Sequence, residues 1–331
     1  RNKKKVAVVT GGAGFIGSNL VDELVRLKHY VIVLDNFSTG KKDNIKHHKK
    51  KNVKIINVDI SKKLNLEKYF KNVDYVYHLA GLADIVPSIK HPEKYFMSNV
   101  VGTFNVLQAS VKSKVKKFIY AASASCYGIP KQFPTNEEES IKPEYPYAFT
   151  KWQGEEIVMH WAKLYKFPAV SLRFFNIYGP RSRTSGAYGA VFGVFLAQKL
   201  SKFPLTIVGN GKQTRDFLYI DDLVKAIIKA TNSKKNGEIY NVGAGKEINV
   251  NKIAKLIGGK KIYIPKRPGE PDRSLADISK IRKDLGWKPT IKIEHGVQVL
   301  LRNINHWKKA PIWTPKKIKI ATREWFKILK D

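Results

Sequence analysis

The chain has 331 residues, 43% hydrophobic and 27% charged, and its 61 Lys and Arg against 27 Asp and Glu give a formal net charge of +34. A chain of this length buries a sizeable core unaided, so whole-chain disorder is excluded; the single cysteine, Cys126, excludes an internal disulfide framework and a cysteine zinc cluster. No apolar run approaches the roughly 18 residues of a transmembrane helix, so the expectation is a cytoplasmic protein with no membrane partner.

In chain order, Val6–Thr10 is a short β-branched run and Phe15–Leu27 carries apolar residues at helical spacing. Val31–Leu34, Val53–Val58, Val73–Ala80 and Val115–Ala122 are further apolar runs of strand length. Between the last two a helix is expected over Pro92–Ser110, with Phe96, Val100, Phe104 and Leu107 on one face. Continuous apolar strands separated by helices predict an α/β fold: a doubly wound parallel sheet covered on both faces.

Past about residue 175 the pattern loosens. Helices are expected near Ala187–Leu200 and Ile220–Thr231, a strand at Leu205–Val208, and a late helix near Ile293–Trp307. A Gly/Pro/Lys-rich stretch, Gly258–Pro271, separates the late helix from the rest. The expected division is a doubly wound (Rossmann) domain over 1–175, to which segments near 216–245 return, and a smaller C-terminal α/β domain over 176–331. Trp307, Trp313 and Trp325 fall at irregular spacing in the tail and read as anchors to that domain.

A pI near 10.0 raises nucleic-acid binding. The densest basic patch, Lys41–Lys54 (KKDNIKHHKKKNVK), has no interleaved aromatic residue. No zinc-finger, basic-zipper or RNA-recognition spacing accompanies the charge. The lysines therefore read as solvated surface, and no nucleic-acid partner is expected.

Thr10-Gly11-Gly12-Ala13-Gly14-Phe15-Ile16-Gly17 follows the first strand and opens the first helix. Gly11 allows the tight turn, Gly14 lets backbone approach a pyrophosphate, and Gly17 lets helix and strand pack closely, with the helix N-terminus favouring the anion. Asp35 ends the second strand, where a carboxylate accepts adenosine ribose hydroxyls and repels a 2′-phosphate. The cofactor expected is NAD rather than NADP, and no metal ligand set is expected.

Tyr147 and Lys151 lie four residues apart, one helical turn, so their side chains share a face. A Lys ammonium beside the phenol is expected to lower its pKa from about 10, making a base for a sugar hydroxyl. Such pairs arise by chance in a Tyr- and Lys-rich chain. Here, however, Ser123 follows the fifth strand, at the carboxyl edge where open α/β sheets bind ligands, and can hydrogen-bond a reacting oxygen.

Together these motifs resemble the extended short-chain dehydrogenase/reductases, and among them the nucleotide-sugar epimerases. The resemblance runs through VTGGAGFIGSNL, LDNFSTG, HLAG, SASCYG, YAFTK, RFFNIYGPR, TRDFLYIDD and RPGEPDRSLADISK. It implies a catalytic set of Ser123, Tyr147 and Lys151. For the cofactor it implies Gly11, Gly14, Phe15, Ile16, Gly17, Asp35 and Asn36, with Asp59 and Ile60 flanking the adenine. Leu79, Ala80 and Gly81 would line the cofactor, Asn99 would sit near the nicotinamide, and Phe175, Tyr147 and Lys151 would also meet it. For a UDP-sugar it implies Ser123 and Ser125 at the sugar and Asn176, Arg215 and Arg267 at the phosphates. Glu270 would lie at the uridine ribose, and Ser274 over the sugar 2-substituent. The C-terminal part becomes the nucleotide-sugar-binding domain, and a homodimer through the helices near Pro92–Ser110 and Tyr147–Tyr165 is implied.

The same resemblance bears on the reaction. Sugar-nucleotide 4,6-dehydratases carry an Asp-Glu pair, and UDP-glucuronate decarboxylases a Glu, where this chain has Ser125 and Cys126. Some 3,5-epimerases carry a Cys in this loop, two residues before its tyrosine, whereas Cys126 lies one before Tyr127 and reads as packed. A Lys that some members carry after HLAG is replaced here by Ala83, followed by Asp84. The activity implied is 4-epimerisation of UDP-GlcNAc/UDP-GalNAc, alongside UDP-Glc/UDP-Gal, through a 4-keto sugar. The alternatives are a dehydratase, decarboxylase or 3,5-epimerase of the same fold and, remotely, a non-catalytic NAD-sensing nucleic-acid-binding protein.

Overall fold

The computed structural model describes residues 4–62, 65–183 and 191–329. In chain order the first half runs β1 (Val6–Thr10), α1 (Phe15–Arg26), β2 (Tyr30–Asp35), β3 (Val53–Asn57), β4 (Tyr75–His78), α2 (Ile85–Lys90), α3 (Pro92–Phe96), α4 (Gly102–Lys112), β5 (Lys117–Ser123), α5 (Pro146–Leu164) and β6 (Ala169–Phe174). Then come β7 (Asn176–Tyr178), α6 (Val191–Leu200), β8 (Leu205–Val208), β9 (Thr214–Tyr219), α7 (Ile220–Asn232), β10 (Glu238–Val242), β11 (Glu247–Asn249), α8 (Val250–Ile257), β12 (Lys261–Ile264), α9 (Ser279–Leu285), α10 (Ile293–Arg302), α11 (Pro315–Ala321) and α12 (Arg323–Ile328).

Seven strands form one parallel sheet in the order β10-β6-β5-β4-β1-β2-β3. β6 is buried throughout and β5 at all but its last residue, as central strands covered on both faces should be. β3, at the edge, exposes alternate residues. Two apolar clusters fill the two faces, one around Leu20, Tyr77 and Leu223, the other around Phe70, Leu107 and Phe118. Strand order reverses between β1 and β4, which opens a crevice at their carboxyl ends, where ligands of such sheets bind. β10 pairs in parallel with β6, so the chain revisits the sheet after leaving it. Two small sheets, β11-β9-β7 and β12-β8, build the rest of the C-terminal part.

Local departures from the sequence pattern have local causes. The fourth apolar run ends as a strand at His78 because the Leu79 and Ala80 N–H groups turn to the Thr10 hydroxyl, 3.1 Å from each. The helix expected over Pro92–Ser110 is continuous but carries a π turn at Met97–Val101. The late helix stops at Arg302 and resumes as a 3₁₀ turn over Ile304–Trp307. Of the helix expected near Ala187–Leu200, Val191–Leu200 is observed and residues 187–190 lie outside the described ones.

Candidate active site

The glycine-rich turn is sterically committed. Gly11 has φ +68°, and a Cβ there would lie 2.8 Å from the Ala80 nitrogen; one on Gly17 would lie 2.2 Å from the Gly11 oxygen. A Cβ on Gly14 would meet only the Gly11 oxygen, at 3.2 Å, so that residue faces open space. Gly14 caps α1 with no side-chain acceptor, which leaves the N-terminal N–H groups of Phe15, Ile16 and Gly17 available to an anion. Asp35 is 7% exposed and accepts the N–H of Ala13 (2.9 Å) and Phe37 (2.8 Å). Burial raises its pKa, and those two bonds work against the rise. Its carboxylate still has lone pairs for ribose hydroxyls. These features fit an adenine dinucleotide without a 2′-phosphate.

Further along the crevice, Asn36 is exposed, with its side chain accepting Ser38 N–H at 3.0 Å. Asp59 is partly exposed and takes bonds from the Ser61 N–H and hydroxyl, while Ile60 is buried. Leu79, Ala80 and Gly81 follow β4 as a partly exposed loop. Asn99 lies beneath this loop. It is only 1% exposed and braces this loop, bonding the Leu82 N–H and carbonyl and the Thr150 hydroxyl. Its amide is thereby occupied by the loop and by Thr150 on α5.

A polar relay that no sequence motif announces lies under that loop. The Leu79 and Ala80 N–H groups donate to Thr10 Oγ1, which sits 2.7 Å from His78 Nδ1; His78 Nε2 sits 2.8 Å from Thr103 Oγ1, and Thr103 donates to the Asn99 carbonyl. Followed from Asn99 back, the donors assign His78 its Nε2–H tautomer. Complete burial pushes its pKa down to about 3, so it stays neutral. The Thr103 bond to Asn99 is the back-bond that a helical Thr makes to the carbonyl four residues earlier.

At the end of β5 three hydroxyls line up. Tyr147 Oη is 3.3 Å from Ser123 Oγ, and Ser123 Oγ is 2.8 Å from Ser125 Oγ. The Tyr147 phenol was expected to be lowered by Lys151; in the structure it is raised, because burial outweighs the Ser123 hydrogen bond. Lys151 is 8% exposed, with Nζ 4.5 Å from the Tyr120 ring centroid. Burial lowers it to about 8, and the Glu155 carboxylate opposes that fall. Lys151 thus remains an ammonium at neutral pH. Cys126 is 2% exposed and pushed up to about 12 by burial, a packed thiol.

Beneath α5 sits an ion pair the sequence did not disclose. Arg173 donates to both oxygens of Glu155, at 2.6 to 3.2 Å, and to the Tyr127 hydroxyl at 2.9 Å, which donates to Asn241. Glu155 lies one turn after Lys151, so this network also supplies the carboxylate that keeps Lys151 charged.

These groups face a cleft of about 440 Å3 whose lining includes Ser123, Ser125, Tyr147, Phe175, Asn176, Arg215, Arg267, Glu270 and Ser274. That volume lies in the range of small-molecule sites. Glu270, expected at a ribose, holds its carboxylate between the arginines, 3.2 Å from Arg267 Nη1 and 3.8 Å from Arg215 Nη2. Two guanidinium groups thus meet one carboxylate at the cleft wall. Asp84, also in the lining, is ion-paired with Arg183.

Residues 7–243 match the family model described as the NAD dependent epimerase/dehydratase family. The chain belongs to that family. It is 37% identical over 310 residues to a putative UDP-glucose 4-epimerase of Methanocaldococcus jannaschii, covering 91% of this chain and 98% of that one. It is 34% identical to UDP-glucuronic acid decarboxylase 4 of Arabidopsis thaliana, over 91% of this chain and 69% of the relative. A solved UDP-N-acetylglucosamine 4-epimerase from Methanobrevibacter ruminantium, in complex with UDP-N-acetylmuramic acid, superimposes with a TM-score of 0.85 at 34% identity, covering 91% and 99% of the two chains. The protein is thus an NAD-dependent enzyme of the extended short-chain dehydrogenase/reductases, in the group of UDP-sugar epimerases and decarboxylases.

Proposed function

We propose that this enzyme interconverts the C4 epimers of a UDP-hexose, UDP-GlcNAc/UDP-GalNAc and also UDP-Glc/UDP-Gal. The observation that carries the reading is the hydroxyl row Tyr147–Ser123–Ser125 at the end of β5, with a buried thiol at Cys126 and no carboxylate at either 125 or 126. Expelling a 6-hydroxyl requires an acid. The carboxylates lining the cleft, Asp84 and Glu270, are each paired with arginine.

When bound, NAD supplies a reversible hydride acceptor at C4. Gly14 and the N-terminus of α1 hold its pyrophosphate, and Asp35 its adenosine ribose. Tyr147 removes the 4-hydroxyl proton and returns it, while Ser123 hydrogen-bonds the reacting oxygen. Because burial works against the phenolate, the Lys151 ammonium is the charge that makes proton removal affordable. Arg215 and Arg267 hold the diphosphate, exchanging Glu270 for phosphate oxygens, and leave the 4-keto sugar ring free to turn over. Ser274, small and at the cleft wall, leaves room for an N-acetyl group. The enzyme is proposed to act as a homodimer through the faces of α3–α4 and α5, where Phe96, Phe104, Phe149, Leu164 and Tyr165 are exposed.

The test is a product screen by NMR on UDP-GlcNAc, UDP-Glc and UDP-glucuronate. C4-epimerised UDP-GlcNAc and UDP-Glc are expected, with Tyr147→Phe slower by about 10³-fold and Ser274→Tyr losing the N-acetylated substrates selectively. A 4-keto-6-deoxy or decarboxylated product would refute the reading.

A further inference from the structure

The C-terminal helices α11 and α12 do more than cover surface. Trp325 on α12 is fully buried, in a small cluster of its own with Val86, Ile264 and Ile318, apart from the two main cores. Val86 lies on α2, just after Asp84; Ile264 ends β12, just before Arg267. The cluster therefore ties together the two chain segments that face each other across the cleft, and Ile318 itself lines that cleft.

The segment it holds is short of its own means of support. Pro265, Pro268 and Pro271 lack N–H groups, so three of the seven residues 265–271 have no donor for a backbone ladder. Trp325 supplies contacts instead. Its indole Nε1–H donates to the Pro268 carbonyl at 2.8 Å, and the Arg267 guanidinium carbon stands 5.8 Å from its ring centroid. Gly269, at φ +70°, lies against the tail so closely that a Cβ would come within 3.2 Å of Leu329 Cδ1. The tail is itself secured: Thr314 caps α11 by accepting Lys317 N–H, and the Trp313 carbonyl accepts from the buried Gln198 amide.

We propose that Trp325 is a positioning residue for nucleoside-diphosphate binding, holding Arg267 and the Pro265–Pro271 loop in the geometry that receives the diphosphate. One indole thus touches both the loop backbone and the Arg267 guanidinium. This rests on the UDP-sugar reading above. It adds a specific consequence: the tail sets affinity for the nucleotide half of the substrate and leaves the NAD side and the hydride chemistry alone.

The experiment measures UDP affinity by calorimetry, with kcat and KM, on the NAD-loaded enzyme and two variants, and NAD affinity on the same three proteins after NAD has been stripped from them. Trp325→Phe keeps a ring and loses the N–H; about fivefold weaker UDP binding is expected, matching one hydrogen bond. Trp325→Ala loses both contacts, and about 50-fold is expected. NAD affinity and kcat should hold in Trp325→Phe while KM rises in step with the UDP constant. Unchanged UDP affinity in Trp325→Phe and in folded Trp325→Ala overturns the assignment, as does a parallel fall in UDP and NAD affinity, which would mark general loosening. If the native enzyme does not bind UDP, the UDP-sugar reading falls first and this one with it.

Discussion

Lys151, proposed to serve the chemistry, does so at a cost to stability. It is buried, with its pKa lowered to about 8, whereas in the unfolded chain it keeps its proton to about 10.5. Between those values the unfolded chain binds more protons, so this group makes stability rise with pH from about 8 toward 10.5. Below pH 8 the full penalty applies. Lys151→Met should therefore raise stability at pH 7 by up to about 3 kcal/mol, and the gain should fade toward pH 10. Thermal melts of both proteins at pH 7 and 10 check this; a constant difference, or a loss of stability at pH 7, would contradict it. The variant should also lose turnover, since Tyr147 then faces burial without its ammonium. From sequence, the Tyr147/Lys151 spacing was legible because four residues make one turn. The direction of the phenol's pKa was not, because it depends on how deeply the cleft encloses the ring.

Among the elements, the central strand β5 was readable because burial on both faces writes a continuous apolar run, as in Phe118–Ala122, whereas β6 was not, because Ser171 and Arg173 interrupt its apolar run to bond the buried Glu155. The π turn at Met97–Val101 was not readable: one extra residue in a helical turn barely alters the apolar spacing of Phe96, Val100 and Phe104. The Glu155–Arg173 pair and the Trp325–Pro268 bond were hidden for another reason, since their partners meet only through the fold, 18 and 57 residues apart. Motifs around the site also divide in role. In the TRDFLYIDD stretch, Arg215 faces the cleft, but Asp216 is fully buried and accepts the N–H groups of Ala244, Gly245 and Ala276. It pins β9, the turn after β10 and the stretch after Ser274 to one point, and burial raises it to about 6. Asp216→Asn puts an amide against three donors. It should lower unfolding free energy by about 2–4 kcal/mol in urea titration; a change under about 0.5 kcal/mol would show that the pin carries no load.

The whole molecule is dominated by its charge of +34, yet the site needs little of it. Arg215 and Arg267 and one helix N-terminus are the groups proposed for the phosphates, and the lysines of Lys41–Lys54 are exposed. Their proposed effect is a long-range field that draws anionic sugar nucleotides and fades with salt. The apolar counterpart is the α3–α4 and α5 face. Phe104 is 40% exposed there, against Trp161 at 6.0 Å between ring centroids. Phe104→Lys should turn a dimer into a monomer in light scattering at micromolar concentration. A native enzyme that is already monomeric would contradict the dimer.

The central claim is that Tyr147, Ser123 and Lys151 carry out epimerisation at C4 and nothing more. Incubating the enzyme with UDP-GlcNAc in D2O and following the sugar by proton NMR tests it most directly. The account predicts UDP-GalNAc with the C4 proton fully retained and no deuterium at C5, because the hydride returns to the carbon it left. Deuterium at C5, loss of the 6-hydroxyl, or solvent deuterium at C4 would contradict it.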